Sequence, residues 1–510
     1  MLIKNNMADN SSNNKRIAKN TIYLYLRMFV TMAVGLFTSR IVLQTLGIED
    51  YGVYNIVGGV VVLFSFISNA LRNATQRYLS YELGKSENAD VNKVFNMSIQ
   101  CHVLICIIIL VLAETVGLWF TTTQLNIPEG REIAVQYVYQ FTVITFVIHV
   151  MQVPYNSAII AYERMSFYAI VSIVEAVLKL VLVSLLIFLP WDALILYSIL
   201  VAFSALVVIS AYAVYCYRCI KLDGYRMVKD KDLFKGLTSF SVWSMMNGCA
   251  TLFAQQGGNY FINVFSGVAA NAAFGIANQV SSLIYGFVSN FQSAFQPQIV
   301  KQFASKQREE LNTLLYRTSS LSYYLLLIIS IPFAFEADYM LQLWLGIVPE
   351  NASLFCILLL IYFLLDSMQA PLWMLIYGTG EIKNYTIITG LFTLANLPFA
   401  WVLLHFGFPI YSIFIVRIIL NIFCSAYRLI YVNRHIQFPS INYLVTVGLR
   451  ALIVMVSSLL LTYGIANIGL HPLVVIILSM IITAAIILLL GLSKNDKTIV
   501  KQLIINKIRR

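Results

Sequence analysis

The sequence predicts an all-α integral membrane protein with about fourteen transmembrane helices, and three observations carry that expectation. Long apolar runs follow one another almost from end to end of the 510 residues, each near or above the roughly 20 residues an α-helix needs to cross a hydrocarbon core. Hydrophobic residues make up 59% of the chain and charged residues only 11%, where an ordinary soluble domain carries about 25%. The stretches between the runs are too short to bury a core of their own, so the whole chain reads as membrane domain.

In order, the helices are expected at 20–46, 51–83, 91–120, 133–161, 166–189, 192–217, 235–265, 269–304, 310–335, 351–378, 384–405, 409–433, 441–467 and 471–492. The polar start through Asn20 holds Lys4, Lys15, Arg16 and Lys19 but lacks the basic, apolar, small-residue order of a cleaved signal peptide, so the first run is expected to be a retained helix. Breaks are signalled by Leu46-Gly47, Pro128-Glu129-Gly130, Pro190, Pro349, Gly378-Thr379-Gly380, Pro409, Pro439 and Pro472. The first, second, seventh and eighth runs exceed a simple span, which fits tilt or extension past the headgroups.

A net charge of +11 could point to nucleic acid, but its distribution gives a different reading. Nearly all loop lysines and arginines fall at the termini and in the even-numbered connections. One connection holds Arg218, Lys221, Arg226, Lys229, Lys231 and Lys235, another Lys301, Lys306 and Arg308, and the C-terminal tail Lys494, Lys497, Lys501, Lys507, Arg509 and Arg510. The opposite connections carry Glu49, Asp50, Glu129, Asp192, Glu336, Asp338 and Glu350, with Arg131 as the one clear cation. By the positive-inside rule both termini are expected in the cytoplasm, as an even number of helices requires, and no nucleic acid partner is expected. The seven cysteines lie in or beside apolar runs, which argues against a disulfide framework; Cys216 and Cys219 have a CxxC spacing but no second pair or nearby histidine for a metal site.

Laying the second helix on the eighth aligns Tyr51-Gly52-Val53-Tyr54-Asn55 with Phe274-Gly275-Ile276-Ala277-Asn278 at an offset of 223 residues. One pentapeptide is also what chance gives between amphipathic helices, yet repeated halves are a common transporter plan. The expected organisation is a six-helix bundle at 1–217, a cytoplasmic linker at 218–234, a second six-helix bundle at 235–434, and two extra helices with a basic tail at 435–510. Six helices separate the copies, so the relating pseudo-twofold axis lies along the membrane normal.

Charges at membrane depth cost at least about 2–3 kcal/mol each and usually face protein or an aqueous cavity. Those in the runs are Arg27, Arg40, Arg72, Arg77, Lys179, Arg417 and Arg450, with Glu114, Glu175 and Asp366 as the acids and His102 and His149 beside them. Arg27, Arg77 and Arg450 sit where a side chain can snorkel to the surface, and Glu175 and Lys179, four apart, can simply neutralise each other. Arg40, Arg72 and Arg417 lie deeper, and Arg72 stands beside Asn69 and Asn73. The eighth helix holds Asn271, Asn278, Gln279, Asn290, Gln292, Gln296 and Gln298, amides equally suited to sugar hydroxyls and to bonding between helices. Several arginines and few acids suit an anionic group such as a phosphate. A cation exporter wants the reverse. No HExxH, GxSxG, P-loop or aspartate-rich motif is present, so no enzyme activity, metal or cofactor is expected.

The opening Asn20-Thr21, Ser39-Arg40-Ile41-Val42-Leu43 and Leu46-Gly47-Ile48-Glu49-Asp50-Tyr51-Gly52-Val53-Tyr54, with Arg77-Tyr78-Leu79-Ser80 and Gly275-Ile276-Ala277-Asn278, resembles Wzx-type polysaccharide and O-antigen flippases. These belong to the multidrug/oligosaccharidyl-lipid/polysaccharide (MOP) exporter superfamily. The resemblance implies a MATE-like fold of two six-helix bundles, a central cleft and two appended helices. It also implies transfer of an undecaprenyl-pyrophosphate-linked oligosaccharide from the cytoplasmic to the periplasmic leaflet of a bacterial inner membrane, for O-antigen, capsule or exopolysaccharide. Implied with it are proton or sodium coupling and, as partners, a polysaccharide polymerase and glycosyltransferases. Under that reading Arg40, Arg72, Lys179 and Arg417 are expected to meet the pyrophosphate or sugar acids, Asn69, Asn73, Asn278 and Gln279 the sugar, and Glu175 or Asp366 the coupling ion. The alternatives are an ion-coupled multidrug exporter of the same fold and, third, a membrane glycan polymerase or ligase.

Overall fold

In the computed structural model of the protein the described residues are 19–35, 37–38, 41–42, 44–47, 50, 54, 65–85, 89–123, 130–186, 190–492 and 497, and among them every regular element is a helix. Residues 19–35 form α1. There follow α2 (Ser65–Gly84), α3 (Val91–Leu112, carried on through Leu118–Thr123), α4 (Glu132–Ala161), α5 (Met165–Leu185) and α6 (Ala193–Tyr215). Lys231–Ala304 is a 74-residue rod broken at Gly267, whose φ of 77° and ψ of −173° suit glycine alone; it yields α7 (231–266) and α8 (268–304). Then come α9 (Arg308–Leu345), α10 (Ala352–Thr379), α11 (Lys383–His405), α12 (Ser412–Ile436), α13 (Arg450–Ala466, entered through Ser440–Tyr443) and α14 (Pro472–Ile486).

Ten of the described helices are long and apolar enough to cross a bilayer. The chain is a multi-pass membrane protein. Neither α2 nor the α7–α8 rod is among those ten, because these carry the polar side chains that an apolar surround penalises unless they face protein or water. Aspartates fix several entries: Asp90 accepts from the Lys93 N–H, Asp192 from those of Leu194 and Ile195, and Asp230 from those of Asp232 and Leu233. The Leu233 N–H and then the Lys93 ammonium hold the Asp230 carboxyl below its ordinary pKa. The expected end of the ninth helix near 335 is a bend: Glu336 leaves helical geometry (φ −120°, ψ 28°), and the helix resumes to Leu345 before Gly346 turns at φ 73°. Sequence reading placed Glu336 and Asp338 in a connection because their charges end the apolar run, whereas backbone hydrogen bonding carries the helix past them.

The chain divides into two compact units. The first comprises Met1–Gly248 with Val300–Lys306 and Gly378–Ile382; the second comprises Cys249–Ile299, Gln307–Tyr377 and Lys383–Arg510. In the first, α4 packs against α6, α2 and α3, and its core runs from Val135, Val138 and Tyr139 to Phe95, Ile159 and Tyr212. In the second, Phe274, Phe333, Phe355 and Phe414 form one cluster, while α13 and α14 lie on α9 through Tyr323, Tyr324, Leu327, Val454 and Ile486. Ser458 and Thr462 on α13, and Ser479 and Thr483 on α14, are fully buried; such small polar residues let helices approach closely in lipid.

Arg131, the cation that stood out among acid-rich connections, is a clamp within the first unit. It pairs with Asp50, its Nε 2.9 Å from Oδ1, and also with Asp192, thereby tying the entry of α4 to that of α6. Its side chain is 31% exposed and that of Asp50 only 12%, so removing the arginine leaves one nearly buried carboxylate without its partner. Arg131→Ala is expected to cost about 2 kcal/mol, from the loss of charge-assisted hydrogen bonds, and to lower the thermal midpoint in detergent, with Arg131→Lys recovering part of the loss.

Candidate functional site

In the first unit the polar groups gather on one stripe of α5. Tyr168, Ser172, Glu175 and Lys179 recur at i, i+4, i+7 and i+11, so they share a helix face about 16 Å long. Arg27 of α1 donates to Tyr168 Oη at 2.7 Å and lies over its ring, 4.8 Å from the centroid. Tyr212 of α6 hydrogen-bonds Ser172 and lies within electrostatic reach of both Arg27 and Glu175. Lys179 donates to Glu175 Oε1 at 2.7 Å. From α4, His149 shares a 3.3 Å contact with Gln152 and is within electrostatic reach of Lys179, Glu175 and Arg72.

The structure therefore brings Arg72, Lys179 and Glu175 into one neighbourhood and adds His149 and Arg27. Three cations and one carboxylate leave it cationic. Arg72 is half-buried, and its Nε is enclosed without a hydrogen-bond partner among the described residues, so it has a donor to spare. Beside it Asn73 donates to Ser244 Oγ at 3.4 Å, and Asn69 is exposed. Arg40 lies outside the described residues. A guanidinium with an unused N–H, one ammonium shared with a carboxylate, and one exposed amide are groups suited to anionic and hydroxyl partners.

The second unit holds a different arrangement. Asp366 of α10 accepts from Tyr285 Oη of α8 at 3.1 Å, and that hydroxyl also lies 3.5 Å from Gln292 Oε1. Tyr285 stacks on Phe363 with centroids 4.7 Å apart, Phe363 meets Tyr362 edge-on, and the Arg417 guanidinium sits 4.1 Å above Tyr362. Arg417 and Asp366 thus belong to one aromatic-lined network. Asn278 is half-buried and Gln279 exposed on α8, both in this unit.

Sequence reasoning missed Arg428. Only 8% exposed, it donates through Nε to Tyr385 Oη at 2.8 Å, and Asp366 and Cys424 lie within its electrostatic reach. The available signal was the α12 stripe Arg417, Asn421, Cys424 and Arg428, spaced i, i+4, i+7 and i+11. The snorkelling read for Arg77 also gives way. It is 9% exposed and donates to the carbonyls of Gly378 (3.1 Å) and Thr379 (2.9 Å), the last turn of α10, where a cation meets unpaired carbonyls and the negative helix end. Tyr78 and Tyr81 flank its guanidinium at 4.5 and 4.7 Å. Gly380 completes that turn at φ 86°, and a Cβ there would fall 2.5 Å from Arg77 Nη2.

Many membrane-spanning helices and two polar networks at helical spacing define a polytopic helical membrane protein, and comparisons with known proteins agree. A crystal structure of MATE in the bent conformation matches with a TM-score of 0.71 at 15% identity, covering 83% of this chain and 96% of that one. A MOP superfamily transporter from Pyrococcus furiosus Vc1 matches at 0.67 and 15%, with the same coverage, so the fold is MATE-like. The model of the polysaccharide biosynthesis protein family matches residues 17–303, and the chain belongs to that family. The uncharacterized membrane protein EpsK of Bacillus subtilis (strain 168) is 22% identical over 377 residues, 73% of this chain and 74% of its own.

Arg428→Met should cost about 3 kcal/mol by leaving buried partners without their charge. In a double-mutant cycle read by thermal unfolding, Asp366→Asn should be less costly in the Arg428→Met background than alone; additive costs would show the two are uncoupled.

Proposed function

We propose that the protein is a flippase that carries an undecaprenyl-pyrophosphate-linked oligosaccharide from the cytoplasmic to the periplasmic leaflet of a bacterial inner membrane, by alternating access, for O-antigen, capsule or exopolysaccharide assembly. The observation that carries this reading is the cationic neighbourhood of Arg72, Lys179, Arg27 and His149 in a chain of the polysaccharide biosynthesis family. A pyrophosphate carries charge and many acceptor oxygens, and a guanidinium with a free N–H is the side chain best shaped to receive one. Arg40 and Arg417 are further contacts for the anionic headgroup. Asn69, Asn73, Asn278 and Gln279 meet sugar hydroxyls. Asp366 or Glu175 takes the proton or sodium ion that drives the cycle. Both termini lie in the cytoplasm, as the lysine and arginine distribution supports. A polymerase and glycosyltransferases act on either side of this step.

Deleting the protein and analysing lipid-linked glycans by mass spectrometry, with a periplasmic probe for leaflet exposure, tests the whole reading. A complete repeat unit accumulating on the cytoplasmic side, with surface polysaccharide lost, is the expected result. Unaltered glycan with changed drug sensitivity would instead favour a cation exporter, for which Asp366 would be the natural contact. Arg72→Ala should slow transfer by roughly tenfold, the equivalent of one charge-assisted hydrogen bond, at an unchanged level in the membrane. Normal transfer in that variant would remove Arg72 from the site.

A further inference from the structure

The segment between α6 and α7 is irregular, basic and fastened in an unusual way. From Arg218 to Asp230 it carries Arg218, Lys221, Arg226 and Lys229 against Asp223 and Asp230, and α7 opens with Lys231, Asp232 and Lys235. Its backbone docks on a ladder of amides along α3: Asn92 Oδ1 accepts from the Asp223 N–H at 3.1 Å and Asn96 Oδ1 from the Arg226 N–H at 3.0 Å. The Gln100 carboxamide faces both backbone groups of Val228, at 3.0 and 2.7 Å. The chain then climbs back, and Asp230 pairs with Lys93 at 2.7 Å. From Asn92 to Gln100 is eight residues, so the segment descends about 12 Å along α3 before it returns.

Its level and direction follow from α3 itself. Beyond the buried His102 the helix is apolar without interruption from Val103, so the lowest point of the segment, beside Gln100, lies close to the boundary between polar and apolar surroundings. Asn92, Asn96 and Gln100 share one stripe, and Leu104, Ile107 and Val111 continue it at i+4, i+7 and i+11 from Gln100. These three are 45%, 54% and 57% exposed, as expected of a lipid-facing surface. The segment therefore sits on the lipid side of the first unit. Pinned by its backbone, it turns Tyr225 (58% exposed) and Met227 (74% exposed) outward, with the exposed Arg226 and Lys229 among them.

We infer that residues 223–229 are an interfacial anchor, seating Tyr225 and Met227 in the headgroup region of an anionic phospholipid leaflet while Arg226 and Lys229 meet its phosphates. An apolar side chain and an amphipathic aromatic at the water–lipid boundary, beside cations in excess, fit that layer by both polarity and charge.

Methionine oxidation tests this on the full chain. The protein is placed in nanodiscs of phosphatidylcholine alone or mixed with phosphatidylglycerol, treated with water-soluble chloramine T, and Met227 sulfoxide is read by peptide mass spectrometry against the rate in the digested chain. Met227 should oxidise severalfold more slowly than in the digest, more so with phosphatidylglycerol, and Arg226→Gln with Lys229→Gln should erase the difference between the two lipids. Oxidation at the digest rate in both discs would place the segment in water and overturn the anchor. Equal protection in both lipids would overturn the anionic assignment. The wild-type comparison stands alone if the double variant fails to fold.

Discussion

Everything in this chain answers to one constraint: in a medium without water, a charge needs a partner or an opening, and a lone one is too costly to keep. The protein meets it with stripes rather than isolated residues. On α5, Tyr168, Ser172, Glu175 and Lys179 pass the polar surface from turn to turn, and neighbouring helices contribute Arg27, Tyr212 and His149 to it. On α12 the same spacing joins Arg417 and Arg428, and α8 and α10 contribute Tyr285 and Asp366. Helical periodicity thus turns a penalty on single charges into continuous polar tracks on otherwise apolar rods.

Arginine serves two purposes within that scheme, and the partners its donors meet separate them. Arg77, Arg131 and Arg428 spend their donors on helix-end carbonyls, carboxylates or a tyrosine, which makes them clamps. The five N–H groups of a guanidinium suit this work, since one side chain can fasten two elements at once. Arg72 is the contrast: half-buried, close to other charges, and left with an unused donor among the described residues. A transport site needs the second kind, because a cation already saturated by protein has nothing to offer a guest.

The fold class was legible because hydropathy and loop charge depend only on local composition, and both repeat along the chain. Turn residues such as Pro190, Pro439 and Pro472 gave real helix limits, but Pro154, Pro297, Pro332, Pro371 and Pro398 sit inside helices. Proline was readable as a break only where loop residues surrounded it. Part of the site was legible too: Glu175 and Lys179 are four apart in any helix, and they do pair. What sequence could not supply was proximity between helices. Arg77 looked free to snorkel because its partners, the carbonyls of Gly378 and Thr379, are some 300 residues away and have no side-chain signature. Arg428 went unnoticed because it stands near a basic helix end, where positive charge already had a topological explanation.

The two acids named for ion coupling differ in a way that only the structure reveals. Glu175 holds Lys179 at 2.7 Å, so protonating it would strand an ammonium at membrane depth unless an anion arrived to replace the carboxylate. Under the proposed function its chemistry is tied to the guest: a phosphate reaching Lys179 would compete with Glu175 for the ammonium. Asp366 is held by a neutral hydroxyl, that of Tyr285, and Arg428 keeps its own hydrogen bond to Tyr385. Proton or cation uptake there breaks no direct ion pair among the described residues. Under the proposed function the acids would take different parts, with Glu175 competing with the cargo for Lys179 and Asp366 loading at a separate place. An ion that competes with the cargo for one carboxylate is coupled to it by exclusion, whereas an ion at Asp366 would be coupled only through a conformational equilibrium that both sites bias.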